Sequence, residues 1–335
     1  MSAQLGQSSL ANASSLVLLQ LFSRAFTFGL NQALVRLATP QTFGTAAIQF
    51  ELLLSTILFL SREGVRNALL RSSVKNKKTD SNVALVENIS LIPVFLGIPV
   101  AGLTALVYIQ SASTTTASQP HFHLSVAIYA LAAILELLSE PLYIRAQNEL
   151  KLNVRVRAEG AAVVSKATIT FLVLAFASGE LALVAFAVGQ AAYGLSLLVV
   201  FWGVYRGDIN YVPKRVQTKL HDKYVSCLRC IFHHLTHPQM TSNQNSITTL
   251  YFDVELLGLS VAMTGQSVIK HFLTEGDKFL VSRLSPLEDQ GGYAVASNYG
   301  AFNLSLSTPS SFLRCLCLFR FPSGFCLRTI LMLSL

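Results

Sequence analysis

Apolar stretches long enough to cross a bilayer alternate with short polar segments along most of the chain. Six of them can be read from the sequence, at residues 15–36, 43–60, 83–109, 122–141, 159–177 and 181–205. A helix needs about 20 apolar residues to cross the hydrocarbon core, and only helices and closed barrels satisfy their backbone groups there. Because these stretches lack the alternation of barrel strands, the pattern predicts an all-α, polytopic transmembrane helical bundle.

A seventh, less apolar span is predicted over residues 256–281. Its polar side chains recur at helical spacing, and they are Gln266, Lys270, Thr274, Asp277 and Lys278. The first span carries a similar stripe, made of Gln20, Arg24, Thr27 and Asn31. Ionisable groups within a membrane face a partner or a cavity, since each costs roughly 2.5–3.5 kcal/mol at the bilayer centre. The two stripes predict a basic, hydrated cavity between repeated halves, as in transporters. The alternative is that Arg24 pairs with a carboxylate of a neighbouring helix, the candidates being Glu51, Glu136 and Glu140.

Basic residues concentrate in every second loop. The loops after the second, fourth and sixth stretches carry most of them, whereas the loops between hold Arg36 and little else. Under the positive-inside rule, the basic loops and the amino terminus face the cytosol. The predicted domains are a cytosolic tail (1–14), a first six-helix bundle (15–205), a basic cytosolic loop (206–255), the start of a second bundle (256–300) and an aberrant apolar tail (301–335).

Composition supports a membrane protein and argues against other classes. Apolar residues make up 52% and charged residues 13% of the 335 residues, whereas roughly a quarter of a soluble domain is charged. The net charge of +8 comes without the aromatic-interleaved basic patch of nucleic-acid-binding proteins, so we expect no nucleic-acid partner. The sequence contains no H-E-x-x-H, P-loop or G-x-S-x-G motif, and we expect neither an enzyme nor a cofactor.

One candidate metal site lies in the basic loop. Cys227 and Cys230 form a C-x-x-C pair, which His233, His234 and His237 follow. Structural zinc sites use four Cys or His ligands, but a zinc finger places about 12 residues between its two pairs. Here the histidines follow Cys230 by three to seven residues. The prediction is therefore a loop that binds no metal.

Four segments carry motifs long enough to be specific. They are residues 59–68 (FLSREGVRNA), 139–143 (SEPLY), 273–280 (LTEGDKFL) and 289–300 (DQGGYAVASNYG). With these motifs the chain resembles the Rft-type family of endoplasmic-reticulum membrane proteins, over roughly residues 8–300 apart from the loop near 227–249. The resemblance implies a flippase-like fold of the multidrug/oligosaccharidyl-lipid/polysaccharide exporter superfamily. Two helical bundles would surround a central cavity, and this chain would hold the first bundle and the start of the second.

The resemblance also implies a function and a set of site residues. The function is translocation of the dolichol-pyrophosphate oligosaccharide for N-glycosylation, from the cytosolic to the luminal leaflet of the endoplasmic reticulum. The alternative is a non-transporting accessory protein that binds this lipid or scaffolds N-glycosylation enzymes. Cations suit a pyrophosphate, and the residues expected to bind it are Arg24, Arg36, Arg62, Arg66, Lys270 and Lys278. The expected gate or counter-ion residues are Glu140, Glu275 and Asp277. The implied partners are that lipid, the surrounding membrane and the N-glycosylation machinery.

The chain departs from the family pattern after Gly300. The continuation that the family would have is replaced by residues rich in Ser, Cys, Leu and Phe. We therefore expect residues 301–335, and similarly 227–249, to reflect a truncated or wrongly spliced gene product.

Overall fold

The chain forms a bundle of long helices. The computed structural model describes residues 26, 28–30, 32–73, 80–149, 151–177, 179–205, 211–214, 216–219, 247–250, 252 and 254–297. Within this part of the chain, five helices are long and apolar enough to cross a membrane: α1 (Pro40–Arg71), α2 (Ala84–Ser111), α3 (Phe122–Asn148), α4 (Asn153–Phe176) and α5 (Gly179–Tyr205). The prediction of an all-α, multi-pass membrane bundle is confirmed.

Several predictions fall on residues outside these ranges. They concern the tail 1–14, the polar stripe with Arg24, the Cys227 cluster and residues 301–335, all of which lie outside the described residues.

Helix α1 alternates between α and π turns without a break. Its segments are Pro40–Gly44 (α), Thr45–Phe50 (π), Glu51–Leu58 (α), Phe59–Glu63 (π) and Gly64–Ser73 (α), the last of which continues two residues beyond the membrane-spanning part. The side chain of Thr39 caps its start by accepting a hydrogen bond from the Thr42 N–H at 3.3 Å. The sequence prediction placed residues 61–68 in a loop, which was wrong. Val65, Ala68 and Leu69 are buried at helical spacing, so the apolar face continues and the helix with it.

The next two helices are each interrupted once, close to a proline. Helix α2 consists of two helical segments, Asp80–Ser90 and Ile92–Ser111, separated by a turn at Leu91. Its membrane-spanning part begins at Ala84, within the first segment. Helix α3 runs over Phe122–Leu138, breaks at Ser139 and restarts over Glu140–Asn148. Pro141 sits in the first turn of the new segment, where its missing N–H costs no hydrogen bond. A short helix, Thr114–Ala117, lies between α2 and α3.

The helices that follow leave shorter loops than predicted. The α-helical parts of α4 and α5 are Leu152–Phe176 and Ala182–Tyr205, and a 3-10 turn at Gly179–Leu181 begins α5. The basic loop predicted around Arg145, Arg155 and Arg157 was therefore placed wrongly, since all three residues are helical. Their side chains pair with carboxylates or face outward, so the charges do not end the helices.

Beyond α5 the chain forms a small sheet and one more long helix. Strands β1 (Val216–Lys219) and β2 (Ile247–Leu250) pair antiparallel, with Val216 opposite Leu250. Helix α6 (Val254–Leu284) is followed by a helical segment at 287–297. Helix α6 is long enough to cross a membrane but is not among the five helices that are also apolar enough.

Close helix packing holds the bundle together. Helices α4 and α5 form an antiparallel hairpin, α5 packs on α3, α3 on α2, and α6 packs along the second half of α1. Glycines permit the closest approaches: a Cβ on Gly64 of α1 would lie 2.6 Å from backbone atoms of Thr264 on α6. Large apolar side chains on the outer faces stay exposed, among them Phe95, Leu103 and Trp202. Such a surface suits a bilayer.

The segment after α5 is attached to the bundle through Asn88 of α2. The buried Asn88 amide donates to the Lys214 carbonyl at 2.7 Å and accepts from the Lys214 N–H at 2.8 Å. The Tyr211 hydroxyl donates to the Leu138 carbonyl at 2.9 Å, beside the break in α3. The segment 211–214 is thus fixed against α2 and α3.

Candidate functional site

A cavity of about 620 Å³ lies between α1, α3, α4, α5 and α6. Six charged side chains line it, namely Glu51, Arg62, Glu63, Glu136, Lys166 and Lys278. Three are acidic and three are basic, so the described lining is balanced in charge. The sequence analysis expected a basic cavity, but each basic side chain of the described lining has a carboxylate partner. The stripe with Arg24, on which that expectation partly rests, lies outside the described residues.

The best-defined part of the site consists of two neighbouring ion pairs that join α1 to α3. Arg62 Nη1 donates to Glu136 Oε1 at 2.7 Å. One turn further, Arg66 Nε and Nη2 donate to the two oxygens of Glu140 at 2.7 and 2.5 Å. Arg62 Nη1 also lies 3.9 Å from Glu140 Oε2. We call these four residues the charge ladder.

Burial makes the charge ladder costly to disturb. The side chains of Glu136 and Glu140 are 7% and 1% exposed. A carboxylate removed from water in this way is tolerated when it is paired and hydrogen-bonded. The Arg66 guanidinium is also stacked on the Tyr143 ring, with its Cζ 4.0 Å from the ring centroid. Arg66 is therefore enclosed on two sides.

Local sequence explains why the charge ladder forms. Arg62 and Arg66 are four residues apart, as are Glu136 and Glu140, so each pair shares one helix face. Both ion pairs join residues 74 positions apart, which requires α1 and α3 to run in the same direction. The Ser139 hydroxyl donates to the Glu136 carbonyl at 2.7 Å, which stabilises the break between the two glutamates. The matched spacing was the signal that could have revealed the pairing.

Of the charge ladder, two residues face the cavity. Arg62 and Glu136 line it, whereas Arg66 and Glu140 lie outside the lining. The bidentate contact with Glu140 occupies Arg66. Arg62 uses one N–H group on Glu136, and its side chain is 20% exposed. Arg62 is thus the arginine of this pair that is placed to contact a ligand.

Among the other predicted site residues, Lys278 reaches the cavity. It lines the cavity and lies 2.8 Å from Glu275 Oε2, one turn away on α6. Lys270 does not line it; its side chain is 62% exposed and its Nζ lies 3.9 Å from Glu63 Oε1. The expectation that Lys270 lines the central cavity was wrong, because the exposed face of α6 carries it, and Lys278 is the described α6 residue that lines the cavity.

Two further predicted residues lie away from the cavity. Arg36 is exposed in the helical segment at 32–37. Asp277 is exposed and accepts a hydrogen bond from the Tyr293 hydroxyl at 2.6 Å. Neither lines the cavity.

Sequence reasoning missed several lining residues. Lys166 of α4 lies 3.7 Å from Glu51 of α1 across the cavity. Gln190 of α5 also lines it, and its buried Oε1 has no hydrogen-bond partner among the residues that the structure describes. Buried polar atoms in proteins normally have a partner. Gln190 therefore marks a place where a polar ligand group or water would bind.

Comparison with known proteins adds an independent finding. A family model described as Rft protein matches residues 8–303. A relative from Yarrowia lipolytica is 33% identical over 324 residues, which covers 88% of this chain and 45% of that protein. One from Dictyostelium discoideum is 31% identical, covering 87% and 52%, and one from Saccharomyces cerevisiae is 29% identical, covering 90% and 56%. Each is described as a Man(5)GlcNAc(2)-PP-dolichol translocation protein.

These relatives are longer than the chain. The chain spans about half the length of the curated relatives that it matches. No solved structure matches the chain.

Proposed function

The chain belongs to the Rft protein family, and from this premise we propose that it acts in moving Man(5)GlcNAc(2)-PP-dolichol across the endoplasmic-reticulum membrane. The observation that carries the proposal is the match of nearly the whole chain to proteins described by that activity. The substrate serves N-glycosylation, and the expected direction is from the cytosolic to the luminal leaflet. The amino terminus would face the cytosol, as the distribution of basic loops indicates.

The geometry of the cavity supports this role. A translocated lipid with a sugar head needs a polar volume inside the bundle, and the cavity of about 620 Å³ offers charged and amide groups there. We propose that Arg62 and Lys278 contact the pyrophosphate, because both line the cavity. Arg66 would act by positioning, since Glu140 and Tyr143 already engage its guanidinium.

Charge balance gives the proposed mechanism its physical basis. Arg62 uses one of its five N–H donors on Glu136, so its other donors can bind an incoming pyrophosphate. The buried Glu136 carboxylate keeps its cation during this contact. No bond of the lipid is made or broken, so the proposed protein is a transporter and not an enzyme.

Reconstitution of the purified full chain in liposomes tests the proposal. Man(5)GlcNAc(2)-PP-dolichol is placed in both leaflets, and the fraction that a membrane-impermeant probe reaches is followed with time. We expect the fraction to rise above the roughly one half of protein-free liposomes. Binding without movement would instead favour the alternative accessory role, and an absence of both would reject the proposal.

A matched set of variants assigns the activity to the cavity. Arg62→Gln combined with Glu136→Gln removes one charge of each sign from the lining and leaves no unpaired carboxylate. We expect movement to be lost while the protein stays folded. Arg71→Gln is the control, because Arg71 lies on the same helix but is exposed. Equal rates for the two variants would remove Arg62 from the site.

A further inference from the structure

A second cavity, of about 460 Å³, lies on the opposite face of α1, between α1, α2 and α6. We call it the α2–α6 crevice. Its lining is mostly apolar and includes Leu52, Leu53, Leu103, Val107, Phe272 and Phe279. No described residue lines both this crevice and the central cavity. The two spaces are thus separate in position, and the crevice is the more apolar of the two.

Exposed apolar side chains form the rim of the crevice. Leu103 and Val107 on α2 are 64% and 55% exposed, and Phe272 and Phe279 on α6 are 65% and 47% exposed. The sequence predicts a seventh span over residues 256–281, and with α6 placed in the membrane in this way, the exposed apolar rim contacts hydrocarbon. Lipid chains are therefore the molecules that reach the crevice from the side.

One end of the crevice carries an available positive charge. Arg283, in the last turn of α6, donates through Nη1 to the carbonyl of Ser111, the last residue of α2, at 3.1 Å. In the part of the chain that the structure describes, Arg283 forms no ion pair with a carboxylate. A guanidinium has five N–H donors, and the one bond to Ser111 leaves donors for a phosphate. Both helices end here, so this end lies toward a membrane surface.

His271 lies at the other end of the crevice. His271 is buried and stacks against Phe59 with ring centroids 4.7 Å apart. Its Nε2 is hydrogen-bonded to the Thr56 hydroxyl at 3.1 Å. Arg283 follows His271 by twelve residues of helix, which is about 18 Å at 1.5 Å per residue. One leaflet of a bilayer core is about 15 Å deep. The crevice therefore has the length of a single leaflet.

We propose that the α2–α6 crevice binds an anionic glycerophospholipid, with its phosphate at Arg283 and one acyl chain extending toward His271. The charge at one end, the apolar walls and the single-leaflet length together fit this occupant. Glu275 also lines the crevice, but Lys278 lies 2.8 Å from its carboxylate and neutralises it. The site is separate in position from the central cavity, since no described residue lines both.

Two glycines of α6 provide a matched test. Gly276 lines the crevice, and a Cβ placed there would meet no atom within 4 Å. A Cβ therefore has room at this position, and the longer side chain of leucine would take up space in the crevice. Gly265, on the same helix, is also open to a Cβ but lines neither cavity. Gly276→Leu and Gly265→Leu thus change the same residue type, and only the first occupies the proposed site.

The measurement is native mass spectrometry of the purified full chain after incubation with equal amounts of phosphatidylglycerol and phosphatidylcholine. We expect one retained phosphatidylglycerol in the wild type and in Gly265→Leu, and its loss in Gly276→Leu. Arg283→Gln should retain a lipid but lose the preference for phosphatidylglycerol.

Three results would overturn the proposal. The first is equal retention of lipid by the two glycine variants, and the second is an unchanged preference in Arg283→Gln. The third is displacement of phosphatidylglycerol by an equal amount of dolichyl phosphate, which would assign the crevice to an isoprenoid lipid. The liposome translocation assay is read separately, so failure of this proposal is distinguishable from failure of the proposed function.

Discussion

Two groups of charged residues near the same end of the bundle differ in what surrounds them. In the charge ladder, Glu136 and Glu140 are almost inaccessible, and two arginines neutralise them. At the turn between α3 and α4, Arg145 and Lys151 pair with Glu149 at 3.0 and 2.7 Å, but the Glu149 side chain is 32% exposed. Both groups pair basic side chains with glutamates, but the glutamates of the charge ladder are buried and Glu149 is partly exposed to solvent.

This difference separates charges that set topology from charges that hold the bundle. An exposed ion pair contributes about 0–1 kcal/mol to stability. Breaking a buried pair costs about 3–5 kcal/mol, because it leaves a charge without a partner. The basic residues at the turn suit a membrane surface, whereas those of the charge ladder join α1 to α3.

The largest expected effect comes from removing one member of the charge ladder. Glu140→Ala leaves the Arg66 guanidinium without its bidentate partner, and we expect the free energy of unfolding to fall by about 3–5 kcal/mol. The double variant Arg66→Ala with Glu140→Ala should lose much less than the sum of the two single variants. Thermal unfolding in detergent, followed by far-ultraviolet circular dichroism, measures all three. Additive losses would show that the two residues do not interact.

A smaller effect is expected from the packing behind the charge ladder. A Cβ on Gly194 of α5 would lie 2.9 Å from the Ala132 carbonyl and 3.2 Å from the Glu136 nitrogen. Gly194→Ala should therefore destabilise the chain by about 1–3 kcal/mol. Gly203, on the same helix, meets nothing within 4 Å, and Gly203→Ala should stabilise by about 0.5–1 kcal/mol. The same unfolding assay reports the sign, and a loss in both variants would contradict this account.

The smallest effect is expected at the exposed turn. Burial alone would raise the pKa of Glu149, but hydrogen bonds from Lys151 and Arg145 outweigh it and hold that pKa below its usual range. A lowered pKa means that the stabilisation is present above the ordinary carboxyl pKa and is lost as the pH falls through the folded value. Glu149→Gln should change stability at neutral pH by less than about 1 kcal/mol.

Acid titration of the unfolding temperature checks this sign. The wild type should lose more stability than Glu149→Gln between neutral pH and about pH 3, below the ordinary carboxyl range. Parallel titration curves would show that Glu149 contributes nothing in the folded state.

The fold was more accessible to sequence reasoning than the site. Apolar stretches long enough for a bilayer indicated α1 to α5, because a membrane imposes both the length and the composition of a span. The same rule misplaced the ends: Arg62 and Arg66 read as loop residues, since charge normally ends a span. What keeps them helical is a partner on another helix, Glu136 or Glu140.

The site depends on the alignment of helices, which a single sequence does not contain. Glu136 appeared only as a possible partner of Arg24, because no periodicity tells which helix it faces. Lys270 and Lys278 looked equivalent along α6, but the actual turn of the helix exposes the first and directs the second to the cavity. The apolar crevice left no sequence signal, since its walls resemble any lipid-facing surface.

The constant separation of 74 positions in the charge ladder has a consequence for assembly in the membrane. If α1 slid by one turn against α3, Arg62 would face Glu140 and Glu136 would be left buried without a cation. A slide in the other direction would strand Glu140 in the same way. Lipid does not discriminate between such alignments, because each presents the same apolar surface. The four side chains therefore select one axial alignment of the two parallel helices, because only that alignment pairs both buried glutamates.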